Sequence, residues 1–382
     1  MRILISPGPF KESLSAEEAS AAIARGVRLA LPNASITLLP MCDGGTGFAE
    51  RITSHAKGNI VTSVARDPLG RTIDATYGII DYNGGKAAVI ESAATAGLAL
   101  LSPNERNPSI TSTIGIGDLI KHAVLTMSCD TVFVGCGDSA TNDGGAGMLV
   151  GLGAKLLDTK GAEIPLGGGA LAALAEIDLN GISCKIFETK FRVACNVTSI
   201  LCGSDGTSRI YSFQKGADEA MALRLSDALD HYAKIVFDKQ GVDVRYIPGG
   251  GAAGGLGAAL HAFLGAKLDF SMNVVREFVD LDTAIGQSDL VLTGEGCVDA
   301  RTASGKVVAC VSLACAKHNV PVVAFAGQVG HGSYLNYFLG LDGLVSIADG
   351  PLSLKSAIEN ASSLLESSTF RTMRIICKSR GI

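Results

Sequence analysis

Apolar and polar residues alternate along this chain in two rhythms. From Arg2 the run "RILISP" is short, apolar and closed by Pro7, the mark of a buried strand. "SLSAEEASAAIARGVRLALP" then repeats Ala19, Ala22, Ile23, Val27 and Ala30 at helical spacing, and Ser15 with Glu18 makes a capping box at its start. "ASITLLPM" follows as a second strand and delivers Asp43 to its carboxyl end, so the spacing predicts a β-α-β unit. From Asn59 to Ser92 the pattern becomes alternating runs separated by Pro68-Leu69-Gly70 and Asn83-Gly84-Gly85, which predicts antiparallel hairpins.

Strand and helix alternate again through "TVFVGCGDSATNDGGAGMLVGLGAKLLD" and "KFRVACNVTS", with a longer helix predicted near residues 217 to 239. "PGGGAAGGLGAALHAFLGAKLDF" reads as a tight glycine loop feeding a closely packed helix. "SDLVLTGEG" and "VPVVAFAGQ" read as buried parallel strands joined by the helix "ASGKVVACVSLACAKH". The two ends of the chain therefore resemble each other more than the middle. The expected fold is α/β with two domains: a discontinuous parallel three-layer α/β domain from residues 1–60 and 285–382, and an inserted mixed α/β domain from residues 61–284.

Composition narrows the function. At 47% hydrophobic and 18% charged the 382 residues suit a globular protein, no apolar run reaches the roughly 18 residues of a membrane span, and the start lacks the long apolar region of a signal peptide. A cytoplasmic protein without membrane partners is expected. A net charge of −5 with no run of Lys or Arg argues against nucleic acid as a partner. Ten cysteines without a C-x-x-C pair are expected to be free buried thiols, and the six histidines show no metal spacing.

Four polar glycine clusters share one grammar of strand, glycine with polar residues, then helix: "CDGGTG", "GCGDSATNDGGAG", "ACNVTSILCG" and "LTGEGCVDARTASGK". Ligands gather outside the carboxyl ends of parallel strands, where helix amides face anions. In the last cluster Glu295 and Asp299 could hold Mg²⁺ while Lys306 neutralises phosphate oxygens, although valine after Lys306 breaks the P-loop pattern. Among Ser139, Thr141, Asn142 and Asp143 one is expected to cap a helix, leaving the others for phosphate or substrate. Neither "GCGDSA" nor "GIGDLI" has the third glycine of a dinucleotide fingerprint, which disfavours a dehydrogenase. Lys11 and Lys215, taken singly, read more readily as surface lysines than as ligands.

The order of "SPGPFKESLSAEEA", "LPMCDGGTG", "GDSATNDGGAGMLVGLGAKLLD", "FQKGA", "GGGAAGGLGAAL" and "LTGEGCVDARTASGK" resembles, over nearly the whole chain, the class I bacterial glycerate kinases. The resemblance implies a two-domain α/β fold with its site in the cleft, ATP with Mg²⁺ as phosphoryl donor, and a small-molecule hydroxy acid, D-glycerate, as acceptor. It favours 2-phosphoglycerate as product and is compatible with a homodimer. It implies Asp43, Lys11, Asp299 and Asn196 as the catalytic group. Ser139, Asn142, Asp143, Lys215, Glu295, Arg301 and Lys306 would bind substrate or phosphate, and Asp43, Glu295 and Asp299 would surround the metal.

Departures from the family motifs stand at Gly8 for aspartate, Thr46 for glutamate, Asn196 for aspartate and Ser199 for asparagine. Cys297 and Arg301 replace an arginine and a glutamine. These changes leave two alternatives: a kinase for another small hydroxy acid, or a non-catalytic relative that binds a nucleotide or organic acid.

Overall fold

Two main sheets and one two-stranded ladder order the chain, in a computed structural model that describes residues 1–10, 12–196 and 198–381. Its strands are β1 (Arg2–Ile5), β2 (Ser35–Leu38), β3 (Asn59–Arg66), β4 (Thr72–Tyr82), β5 (Gly85–Glu91), β6 (Thr131–Gly135), β7 (Lys155–Leu157), β8 (Glu176–Asp178), β9 (Lys190–Cys195), β10 (Lys267–Phe270), β11 (Leu290–Val298), β12 (Val322–Val329) and β13 (Gly343–Ser346). Its longer helices are α1 (Ala16–Ala30), α2 (Phe48–His55), α3 (Ile114–Lys121), α4 (Ala146–Leu152), α5 (Glu219–Gln240), α6 (Ala252–Leu264), α7 (Val307–His318) and α8 (Ala361–Ser379). The chain divides into two compact units, one formed by Met1–Asp43 with Val275–Ile382 and the other by Gly44–Val274.

The first unit carries an all-parallel sheet in the order β13-β12-β11-β1-β2. From β1 the chain steps to β2 on one side, and from β11 it steps to β12 on the other. Right-handed crossovers then put α1 and α7 on opposite faces, which makes the β1/β11 junction the switch point of the sheet. The capping box read from the sequence is present: Glu18 N donates to Ser15 Oγ at 3.1 Å and Ser15 N to Glu18 Oε2 at 2.8 Å. Gly26 lets α1 lie directly on α8, since a Cβ there would stand 2.4 Å from the carbonyl oxygen of Glu366. Ile3, Ile5, Ile23, Val27, Leu292, Phe325 and Leu365 fill the core.

In the second unit the order is β10-β9-β6-β5-β4-β3. The expected hairpins are there as antiparallel pairs β3/β4 and β4/β5, and β5, β6, β9 and β10 run parallel. Both main sheets thus agree with an α/β fold that is parallel in one unit and mixed in the other. Helix α2 lies against β4: a Cβ on Gly78 would stand 1.7 Å from Thr53 Oγ1. Residues from Gly44 onward belong to this unit, so the division falls after Asp43 and not at the expected residue 60.

None of the ten cysteines is in a disulfide, but Cys184 is exposed and Cys297 and Cys310 are only half-buried, so three of the expected buried thiols are not. Among the described residues no helix is long and apolar enough to cross a membrane.

Candidate active site

The switch point of the parallel sheet places two loops of the first unit side by side. Gly8 N donates to Gly294 O at 2.9 Å, and Thr293 Oγ1 donates to Ser6 O at 2.8 Å. The segment after β2 runs along the same edge, with Leu39 N bonded to Ile5 O and Met41 N to Pro7 O, and it brings the half-buried Asp43 to the carboxyl end of the sheet. Lys11 lies outside the described residues.

Beyond β11, Thr302 ties the acidic residues together. Its buried hydroxyl donates to Glu295 Oε1 at 2.5 Å and accepts from Asp299 N at 3.2 Å. Lys306 Nζ stands 3.9 Å from Glu295 Oε1. Asp299 holds Arg301 through two guanidinium bonds, Nη2 at 2.7 Å and Nε at 3.0 Å, and also accepts from Arg301 N. Burial pushes the Asp299 carboxyl up, but the Arg301 bond and charge, helped by Lys306, more than offset this and keep it below the ordinary value. The helix expected over residues 303–318 starts later than its sequence suggests. A single 3₁₀ turn spans Thr302–Ser304, Gly305 turns left-handed at φ 101°, and Lys306 is the residue before α7, at its amino end.

Among the described residues no three His, Cys, Asp or Glu side chains are grouped to hold a metal, so Asp43, Glu295 and Asp299 do not form a protein cage. Glu295 and Asp299 instead face Thr302, Lys306 and Arg301. Hard carboxylate oxygens beside cations still suit Mg²⁺, which takes one or two protein carboxylates and leaves its other positions to phosphate and water.

A second polar cluster lies in the other unit, at the carboxyl ends of β5, β6 and β9. Glycine lets the backbone close up here: a Cβ on Gly137 would stand 2.6 Å from Gly45 Cα, and one on Gly44 (φ 92°) 2.8 Å from Ala194 O. Within this frame Lys215 is buried, and its ammonium donates to Thr141 O at 2.6 Å, Asn142 Oδ1 at 2.9 Å and Ser139 Oγ at 3.2 Å. Burial lowers its pKa to about 7, with the charge of Asp143 pulling the other way. Ser139, Asn142 and Lys215 are thus brought together. Lys215, expected on a ligand, spends its three donors on the loop, so it organises the loop from behind.

Asp143 is also interior. Its carboxylate accepts from Thr113 N at 2.8 Å, Thr113 Oγ1, Gly145 N and Gly147 N, and so satisfies the start of α4 although Gly145 is the residue at the cap position. Burial pushes its pKa up against these donors. Asn196 is exposed after β9 and folds back, accepting from Thr198 N at 3.1 Å and Thr198 Oγ1 at 2.8 Å. Three participants were not read from the sequence. Thr113 anchors Asp143, Ser208 accepts from Asn142 Nδ2 at 2.9 Å, and Asp138 accepts from both Thr46 N and Thr46 Oγ1. Of these only Asp138, inside the quoted cluster, had a local signal.

Comparison with known proteins bears on the whole chain. Residues 3–377 match the model of the Glycerate kinase family. A glycerate kinase of Bacillus subtilis (strain 168) is 41% identical over 379 residues, 99% of this chain and 97% of that protein. A glycerate 2-kinase of Escherichia coli (strain K12) is 41% identical over 361 residues, 94% of each. A crystal structure from Salmonella typhimurium LT2, assigned provisionally as glycerate kinase 2, superposes with a TM-score of 0.78 at 38% identity and full coverage of both chains. A chain matched from end to end in sequence and in fold, with polar glycine loops at the carboxyl ends of both sheets, belongs to the glycerate kinase family.

Proposed function

We propose that this kinase transfers the γ-phosphoryl group of ATP to D-glycerate and forms 2-phosphoglycerate. Phosphoryl transfer asks mainly for positioning and for neutralisation of charge, and less for a strong base. Lys306, Arg301 and Lys11 supply positive charge for phosphate oxygens. Ser139, whose oxygen accepts from Lys215, is left to donate its own proton to an anionic acceptor. Asn142, Asp143 and Lys215 hold that loop, and Asn196 offers an amide where no proton can be taken. Mg²⁺ carried with the nucleotide, held by Glu295 and Asp299 of the first unit, which also carries Asp43, would supply further neutralisation of the phosphoryl charge.

The observation that carries this reading is the ordered Ser139–Asn142 loop, set at a sheet's carboxyl edge in a member of the glycerate kinase family. A coupled ADP-release assay with Mg-ATP and D-glycerate tests it, with the product identified by its direct conversion by enolase, which accepts 2- but not 3-phosphoglycerate. Absence of turnover by the folded protein overturns it, and turnover without enolase conversion overturns the 2-position.

A further inference from the structure

The second unit holds an acidic side chain to which the proposed reaction gives no part. Asp138 follows β6 and precedes Ser139, and its backbone sits at φ 52°, a conformation that side-chain-bearing residues rarely adopt. Its neighbours hold it there: Leu98 N donates to Asp138 O at 2.9 Å and Ala140 N to Ala96 O at 2.7 Å. Its Oδ2 accepts from Thr46 N at 3.0 Å and from Thr46 Oγ1 at 3.1 Å, which lays the carboxylate over the 44–47 turn. Thr46 is the position where the resemblance drawn from the sequence implies a glutamate.

We infer that Asp138 is a substrate-facing carboxylate of this site, delivered from the β6 loop to the place where a glutamate at 46 would put its own. Three observations converge. Backbone strain at a loop that binds ligands is retained when the side chain it aims is needed. The contact with Thr46 fixes where the carboxylate lies. The neighbour in the chain is Ser139, whose hydroxyl is oriented by Lys215. A carboxylate only accepts hydrogen bonds and repels anions, so Asp138 takes a hydroxyl of the acceptor and excludes an acceptor that would put a second carboxylate there.

This inference rests on the glycerate kinase activity proposed above, and a four-protein comparison separates the two. Wild type, Asp138→Gly, Thr46→Glu and the double variant are assayed with D-glycerate and melted. Losing one charged hydrogen bond to substrate should cost Asp138→Gly about 10- to 100-fold in kcat/KM. Its Tm should hold or rise, because glycine accepts the positive φ. Thr46→Glu alone should be impaired by two adjacent carboxylates, and the double variant should return to within about fivefold of wild type, a non-additive rescue. An Asp138→Gly protein with unchanged kcat/KM, or a double variant no better than that single one, overturns the inference. If wild type turns over no glycerate, the activity reading alone fails. The shift that D-glycerate gives each melt then decides: an equal shift for wild type and Asp138→Gly overturns the inference, and a smaller shift for the variant supports it.

Discussion

Lys215 donates to the side-chain oxygen of Asn142 at 2.9 Å, and the amide nitrogen of the same Asn142 donates onward to Ser208 at 2.9 Å. An ammonium can only donate, so it fixes which way the amide points, and the order runs from Lys215 through Asn142 to Ser208. Lys215→Met would leave Ser139 Oγ, Thr141 O and Asn142 Oδ1 without this donor in a buried place, at about 1–3 kcal/mol for each group left unsatisfied. Relief from burying a charge offsets part of this. The expected outcome is a stability loss of about 2 kcal/mol by urea unfolding and a fall of roughly 100-fold in kcat/KM as Ser139 and its loop lose their orientation. Lys215→Arg should not rescue, because a forked guanidinium does not fit three acceptors that converge on one nitrogen.

The same lysine gives stability and activity opposite responses to pH. Burial lowers its pKa in the folded protein to about 7 from the ordinary 10.5, while Asp143 is the ionisable neighbour whose charge opposes the shift. Below about pH 7 both folded and unfolded chains carry the proton and this group adds no slope. Above it the unfolded chain binds more protons, so the group makes stability rise with pH. Activity should fall over the same interval, since the neutral amine has two donors for three acceptors. Melting and initial-rate profiles from about pH 6 to 8.5 check this, and Lys215→Met should flatten the stability slope. The buried thiols turn the trend at higher pH, with Cys195 pushed up to about 12, because the folded chain then holds protons that the unfolded chain releases.

Local signals in the sequence were sufficient where a pattern is set by near neighbours. The Ser15–Glu18 box, the alternation from Asn59 to Glu91 and the long helix Glu219–Gln240 are of this kind. Strand order is not, because the apolar stretches Ile3–Ile5 of β1, Leu290–Leu292 of β11 and Val322–Ala326 of β12 carry no mark of which neighbour they choose. The same limit applies to the site. Lys215 reads as a surface residue in "FQKGA" because its acceptors lie more than 70 residues earlier in the chain, and only folding reveals that it is enclosed. Asp299 and Arg301, two apart, read as separate ligands, and that they also pair with each other is visible only in the folded turn.

Thr302 offers a test at the other cluster. Its hydroxyl serves Glu295 and the amide of Asp299 at once, so Thr302→Val keeps the shape and removes both bonds. A cost of about 1–3 kcal/mol in unfolding free energy is expected from the loss of both bonds at a buried position. KM for ATP should rise, because Glu295 and Asp299 lose their common anchor. Thr302→Ser retains the hydroxyl and should recover most of both losses, an outcome read from denaturation curves and from nucleotide titrations of the initial rate.

Gly254 bears on the Lys215 loop from the opposite side. Its φ is 70°, its carbonyl accepts from Gly144 N at 3.0 Å, and a Cβ would stand 1.9 Å from Thr141 O, the carbonyl that receives the shortest Lys215 bond. Backbone oxygen cannot rotate away as a side chain would, so Gly254→Ala must shift the Thr141–Asn142 peptide or the start of α6. Left-handed strain of about 1–2 kcal/mol combines with an overpacking cost of about 1–3 kcal/mol, and a destabilisation of about 3 kcal/mol is expected. Activity should fall with it, since the displaced carbonyl is an acceptor of Lys215. Gly84→Ala is the matched control: φ is 83° in the β4–β5 turn and nothing lies within 4 Å of the added carbon. It should lose only the strain and keep its kcat/KM. Equal behaviour of the two variants in melts and assays would show that close packing behind Thr141 does not govern the loop.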